Sequence, residues 1–175
     1  MAAPDDHRMD PGSRAFFLTV LRYRTLLARG GGRRDELSRL RRLLGARTTH
    51  PSRAGFEQRA FRRIPMDAPA HVRVCDLDAP AHLCDLSADG ARIEDTSGIP
   101  DRLTPKARAT LHLAPGGSTL RVFLPFEVVH ADPARARYGV RFLGAPLVAQ
   151  QRIAGTSAAL RVLERVGPGA LPTAA

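Results

Sequence analysis

The sequence predicts a mainly β protein, in which about six antiparallel strands form a barrel or a sandwich behind an N-terminal helical extension. Three observations support this fold class. The first fifty residues place apolar side chains at helical spacing, the chain from Pro69 onward changes to short apolar segments, and turn-forming residues separate those segments. With 175 residues, the chain has room for one compact domain and a small appendage.

Residues 1–50 are expected to form a helical extension of two short helices. A glycine run at residues 30–32 separates two sets of apolar residues, and Gly45 suits the C-terminal cap of the second helix. The members of the two sets are Phe16, Val20, Tyr23 and Leu27, and then Leu37, Leu40 and Leu44. Residues 51–65 follow as a linker that contains Pro51.

Six strand candidates follow the linker. Each is short and rich in apolar residues, and turn-forming glycines, prolines and aspartates lie between them. The candidates are residues 71–75, 81–86, 91–94, 107–113, 120–130 and 137–142. The short connections are typical of antiparallel hairpins.

The chain from Pro146 to Val166 returns to helical character. Pro146 suits the first turn of a helix, and the sequence Gly167-Pro168-Gly169 ends it. We expect this helix to pack on the strands, so that residues 66–167 form one barrel-and-helix unit. Residues 168–175 are expected to be a flexible tail.

The charge of the chain predicts attraction to anionic partners. The formal net charge is +10, and Lys106 is the only lysine, so arginine supplies almost all of the positive charge. The first ten residues are acidic, unlike a secretory signal, and no apolar run approaches the ~18 residues of a membrane helix. We therefore expect a soluble, cytoplasmic protein, in which Cys75 and Cys84 are reduced, buried thiols.

Two short motifs carry the chemistry of a candidate site. Arg59 and Arg63 lie four residues apart ahead of the first strand candidate, and Asp85-Leu86-Ser87-Ala88-Asp89-Gly90 ends the second one. A guanidinium can bind a phosphate or the O6/N7 edge of guanine through two hydrogen bonds, and it can also stack on a base. A carboxylate accepts from the guanine edge that carries N–H donors. Together the motifs suit an anionic, guanine-containing ligand.

The order of these motifs resembles that of a PilZ domain. Arg59-x-x-x-Arg63, then a strand, then Asp85-x-Ser87-x-x-Gly90, and finally Tyr138-Gly139-Val140-Arg141-Phe142 follow one another over about residues 57–155. The resemblance implies a six-stranded antiparallel β-barrel with a flanking C-terminal helix. It also implies binding of cyclic di-GMP, a bacterial second messenger, as the ligand, with no further cofactor.

The resemblance assigns the site residue by residue. It implies that Arg59 and Arg63 clamp the phosphates and the guanine Hoogsteen edge, that Asp85 and Ser87 hold the base, and that Gly90 shapes the turn. Two further arginines are weaker candidates for ligand contact. These are Arg62, beside the first motif, and Arg141, in the last strand candidate.

These residues predict a non-catalytic cyclic di-GMP receptor. We expect it to signal by ordering its arginine linker against the barrel and so changing its interactions with a protein partner. One alternative is a PilZ-like interaction module that has lost its ligand. Another is a basic nucleic-acid-binding module that uses the arginines of the second helix, namely Arg33, Arg34, Arg39, Arg41 and Arg42, although a solvated helix face explains them more simply.

Metal and enzyme chemistry are disfavoured by the spacing of the reactive residues. Neighbouring strand candidates carry His71, Cys75, His82 and Cys84, but their spacings match no strong zinc pattern. We find no nucleophile elbow, phosphate-binding loop or paired carboxylates of the kind that enzymes use.

Overall fold

A computed structural model describes residues 9–30, 34–46, 60–95, 100–114, 120–154 and 157–162. Two helices lead the chain, α1 (Pro11–Arg29) and α2 (Arg34–Leu43). The side chain of Asp10 caps α1 by accepting from the Ser13 N–H, and Pro11 occupies the first turn, where a missing N–H costs nothing. Gly30 ends α1 in the left-handed conformation that favours glycine.

Six strands form a closed antiparallel barrel. In space their order is β4-β1-β2-β3-β6-β5, and pairing of β5 with β4 closes the ring. The barrel strands are β1 (Ile64–Val74), β2 (Leu77–Leu86), β3 (Gly90–Asp95), β4 (Arg108–Leu113), β5 (Leu120–Asp132) and β6 (Arg137–Phe142). This arrangement confirms the predicted barrel, and each strand candidate overlaps one of these strands.

The alternation of side chains along the strands builds the core. In β1 every second residue from Met66 to Val74 is buried, while the residues between them face outward. Helix α1 contributes to the same hydrophobic cluster as the barrel, since Phe17, Val20 and Leu21 are at most 1% exposed. The division of the chain into an extension, a linker and a barrel unit stays a prediction.

The predicted C-terminal helix is wrong. Residues of that segment form two more strands instead, β7 (Leu147–Ala154) and β8 (Ser157–Val162). Strand β7 pairs with residues 120–123 of β5, and β8 pairs with β7. The physical reason is the length of β5. It pairs with β6 only over residues 126–132, so the hydrogen-bonding groups of its first residues remain open on that side, and β7 pairs with them.

The two cysteines differ from the expectation of buried thiols. Cys75 lies at the turn between β1 and β2, with a φ of 53°, and is exposed. Cys84 is half-buried in β2, and burial raises the pKa of its thiol. Both are free thiols.

Candidate functional site

The pairing of β1 with β2 brings the two sequence motifs together. Pro65 pairs with Asp85 and Ile64 pairs with Leu86, so the chain ahead of β1 runs beside the turn that joins β2 to β3. The antiparallel register therefore places Arg63 next to the end of β2. This is the juxtaposition that the order of the motifs predicted.

Asp85 forms ion pairs with two arginines at this point. Its Oδ1 accepts from Arg63 Nη1 at 3.0 Å, and its Oδ2 lies 3.2 Å from Arg92 Nε. Only 13% of the Asp85 side chain and 24% of the Arg63 side chain are exposed, while half of Arg92 is. A carboxylate shared by two guanidiniums leaves the trio with a net positive charge, which suits an anionic ligand.

Ser87 and Gly90 close the turn between β2 and β3. The Ser87 hydroxyl donates to the Gly90 carbonyl at 3.1 Å and accepts from the Gly90 N–H at 3.2 Å, and the Ser87 N–H donates to the same carbonyl at 2.8 Å. Ser87 is 5% exposed. In this arrangement its hydroxyl is used inside the turn, where it fixes the geometry of the turn.

Gly90 is required by a close approach between strands and not by its φ. A Cβ built on Gly90 would lie 2.1 Å from the carbonyl oxygen of Val140 in β6. The Asp89 carbonyl accepts from the Phe142 N–H at 2.8 Å, so the turn is also attached to the end of β6. Any side chain at Gly90 would push the turn away from that strand.

The remaining predicted site residues lie in different surroundings. Arg59 lies outside the described residues. Arg62 is exposed, and its main-chain N–H donates to the Gly45 carbonyl at 3.2 Å. Arg141 pairs in register with Gly90, but its guanidinium donates to Glu127 of β5 at 2.8 Å.

The helical pair contacts the arginine segment directly. Phe61 forms an isolated β-bridge with Ala46, just after α2, and its ring packs edge-on against Tyr23 of α1 with a centroid distance of 5.4 Å. The guanidinium of Arg41 lies over the same ring, 5.9 Å from its centroid. Phe61 is 5% exposed, so these contacts anchor the residues that immediately precede Arg62 and Arg63.

The helical pair also supplies charges around the turn. Burial raises the pKa of Asp89, and the nearby Arg24 and Arg41 partly offset this shift. Burial lowers the pKa of Arg24, with the carboxylate of Asp89 acting in the opposite direction. Arg24 donates to the carbonyl of Ala88, the residue before Asp89, so the buried guanidinium lies near the half-buried carboxylate. The arginine keeps its charge at neutral pH.

Sequence reasoning missed two residues of this region, Arg92 and Arg24. Arg92 was recoverable, because counting across the hairpin on either side of the turn places it opposite Asp85. Arg24 left no such signal, since its partners are main-chain carbonyls of residues far along the chain.

Neither a metal centre nor a membrane-spanning helix is found in the described part of the chain. Within those ranges, no three His, Cys, Asp or Glu side chains are grouped so that they could share an ion. Neither described helix combines the length and the apolar character that crossing a bilayer requires.

Comparison with known proteins identifies the family. A family model described as PilZ domain matches residues 57–157, which is more than half of the 175 residues. The chain therefore belongs to the PilZ domain family. A similar solved structure is the PilZ domain of CeSA from a cellulose-synthesizing bacterium, with 20% sequence identity, a TM-score of 0.39, and coverage of 47% of this chain and 80% of that chain. No curated protein matches the sequence.

Membership defines the class of protein. The PilZ family is one of cyclic di-GMP receptors and regulators that interact with proteins. The matched residues contain the barrel and both motifs, whereas α1 and α2 precede the match.

Proposed function

We propose that this chain is a cyclic di-GMP receptor whose ligand site is formed by Arg59, Arg63, Asp85, Ser87 and Gly90. The observation that carries the proposal is the contact between Arg63 and Asp85, because it unites the two motifs in one place on the barrel. Family membership supports the same ligand. The net positive charge of the chain favours an anionic ligand in addition.

The site would bind the ligand by exchanging partners. Arg63 and Asp85 satisfy each other in the structure. A guanine dinucleotide offers phosphates and a Hoogsteen edge to the guanidinium, and it offers N–H donors to the carboxylate. Each residue of the ion pair therefore gains a ligand partner as it loses a protein partner. Arg92 stays beside Asp85 and keeps the carboxylate in place.

Two outer arginines complete the proposal as secondary contacts. Arg62 is exposed next to Arg63 and forms no ion pair with another described residue, so it can reach a phosphate. Arg141 would have to leave Glu127 to do so. We therefore expect Arg62 to contribute more to affinity than Arg141.

Calorimetric titration of cyclic di-GMP into the wild-type chain and into Arg63→Ala tests the proposed function. Losing one bidentate arginine contact costs about 1–3 kcal/mol of affinity, so the dissociation constant should rise by about 5-fold to 150-fold. The double variant Arg59→Ala/Arg63→Ala should lose more. Arg137→Ala is a matched control, because Arg137 is also an ion-paired barrel arginine, bound to Glu94 at 2.7 Å.

Other outcomes of the titration would contradict the proposal. Absence of heat with the wild-type chain would favour an interaction module that has lost the ligand. Equal affinity for GMP, or binding of DNA that weakens steeply with salt, would favour the basic module instead. An equal loss of affinity in Arg137→Ala would show that the loss comes from the lower net charge of the variant and not from a contact in the site.

We further propose that ligand binding orders residues 59–63 against the barrel, beyond the contacts that Phe61 already makes with Ala46 and Tyr23, and thereby changes the binding of a protein partner. Segment ordering of this kind is a known switch mechanism. Limited proteolysis between Pro51 and Pro65, with and without saturating cyclic di-GMP, measures it. Slower cleavage with ligand is expected, and an unchanged cleavage rate would rule the mechanism out.

A further inference from the structure

Arg24 of α1 is the most deeply buried charged side chain that the described residues contain, at 7% exposure. Its guanidinium donates to three main-chain carbonyls. Nη1 donates to Ala88 at 3.2 Å, Nη2 donates to Phe142 at 3.2 Å, and Gly144 accepts from both Nε and Nη2, at 3.2 and 2.8 Å. The guanidinium also lies over the Phe142 ring, 5.6 Å from its centroid.

These contacts hold the turn of the candidate site. Ala88 lies in the middle of residues 85–90, between Ser87 and Asp89. Phe142 and Gly144 lie at the end of β6 and just beyond it, where the Asp89 carbonyl is also attached through the Phe142 N–H. Arg24 thus links the turn to the end of β6.

The chemistry of arginine is specific for this role. Several donors in one planar fork reach three carbonyls at once, whereas the single ammonium of a lysine offers one point of attachment. Burying a cation is costly unless its hydrogen-bond donors are satisfied. The guanidinium of Arg24 therefore stays buried only while the three carbonyls stay in place. Asp89, half-buried beside Arg24, offsets part of that cost.

Helix α1 also contacts the other half of the site. Tyr23, the residue before Arg24, packs against Phe61, which immediately precedes Arg62 and Arg63. One helix therefore contacts both the segment that carries the arginines and the turn that carries Asp85. Helix α2 also contacts the arginine segment, through Arg41 over the Phe61 ring, and the chain just after α2 contacts it through Gly45 and Ala46.

We propose that Arg24 is a positioning residue of the cyclic di-GMP site, and that docking of α1 and ligand binding are energetically coupled through it. The coupling rests on the proposed function, whereas the holding of the turn by Arg24 does not. Because α1 precedes the residues that match the family, this contribution belongs to the chain's own extension. Coupling is reciprocal, so a change that loosens α1 must weaken ligand binding, and ligand must stabilise α1 by the same factor.

Hydrogen exchange without ligand tests the first part of the proposal. The amides of Ser87, Gly90 and Phe142 donate within or onto the turn, so they report on its opening. They should exchange about tenfold faster in Arg24→Ala than in the wild type, with Arg24→Lys between the two. Arg29→Ala is the control, because Arg29 is an exposed arginine in the last turn of the same helix. Equal exchange in Arg24→Ala and Arg29→Ala would overturn the role of Arg24.

Ligand experiments test the coupling. At a temperature where each variant is folded, cyclic di-GMP should bind Arg24→Ala about tenfold more weakly than the wild type or Arg29→Ala. In the wild-type chain, saturating ligand should slow amide exchange along α1, a readout that does not depend on any variant being folded. Normal affinity in folded Arg24→Ala, or unchanged exchange in α1 on ligand binding, would overturn the coupling.

The proposed function and this inference fail in distinguishable ways. If the wild-type chain does not bind cyclic di-GMP, the proposed function and the coupling are both overturned, and the exchange comparison without ligand still decides whether Arg24 holds the turn. If the wild type binds and Arg63→Ala binds more weakly, while Arg24→Ala binds normally, the proposed receptor function stands and the coupling is overturned.

Discussion

Asp85 shows how single residues determine the character of the site. It accepts from Arg63 on one side and faces Arg92 on the other, so its charge is more than balanced. A site with that balance is stable as a set of ion pairs and still attracts an anion. The turn that follows has a different character, because the Ser87 hydroxyl and the main-chain groups of Gly90 bond to each other and fix its geometry.

Replacing Gly90 by alanine should strongly destabilise the fold. The new methyl carbon would lie 2.1 Å from the Val140 carbonyl oxygen, which belongs to the backbone and cannot rotate away. Such overpacking costs about 1–3 kcal/mol or more, so the free energy of unfolding in urea should fall by at least that amount.

Gly139→Ala provides the comparison for Gly90→Ala. Gly139 also lies in a barrel strand, but a Cβ there would meet His130 Cβ at 3.4 Å, which is an ordinary contact. Its effect should stay within about 0.5 kcal/mol, as for most substitutions away from tightly packed features. Similar losses at both glycines would contradict the close-approach explanation.

Individual elements show which parts of the fold local sequence determines. The strands β3, β4 and β6 were predicted nearly to their ends, because turn residues bound them and their apolar residues face one core. The segment after Pro146 was assigned wrongly, because its strands depend on an edge that β5 offers from elsewhere in the chain. Tertiary pairing overrides helical propensity there.

The candidate site likewise contains contacts that sequence reasoning could predict and contacts that it could not. The sequence analysis combined the motifs of Arg63 and Asp85 into one candidate site, and antiparallel pairing of β1 with β2 brings these two residues together. The contact of Arg24 with Phe142 spans 118 positions and ends on a carbonyl, which every residue possesses. Side-chain chemistry in the sequence therefore indicated the residues of the Arg63–Asp85 contact. The contacts of Arg24 become visible only in the folded structure.

Strand β7 should contribute measurably to the stability of the barrel. Val148 is 4% exposed and belongs to the common core, so Val148→Ala should lower the free energy of unfolding by about 1–2 kcal/mol through lost methyl burial and a residual cavity. Leu147→Ala is the neighbouring control, since Leu147 is 45% exposed. No difference between the two in chemical denaturation would contradict a packed β7.

The whole molecule is organised around one hydrophobic core. Residues from α1, α2, the barrel and β7 belong to the same buried cluster. A single core usually unfolds as one cooperative unit, so the helices and the barrel are expected to lose structure together. Through this shared core, ligand binding at the site can change the stability of α1.

Phe17→Ala tests that organisation. Phe17 lies on α1 and is fully buried, so its truncation should cost about 3–5 kcal/mol. Far-ultraviolet circular dichroism of the helices and the core methyl NMR signals of the barrel should shift to one lower midpoint together. Leu27→Ala, at a helix position that is 51% exposed, should leave both nearly unchanged. Separate transitions for helix and barrel would contradict a shared core.

The exposed thiol of Cys75, in the turn of the first hairpin, is a convenient site for attaching a fluorophore. Cys75 follows Val74, and the register of β1 with β2 places Val74 nine residues along the strand from Pro65, the partner of Asp85. At ~3.3 Å per residue this separates the thiol from the ion pair by about 30 Å. Cys84 is half-buried and has a raised pKa, so a maleimide dye will attach first at Cys75. A fluorophore can thus be placed on the native chain at a distance from the site.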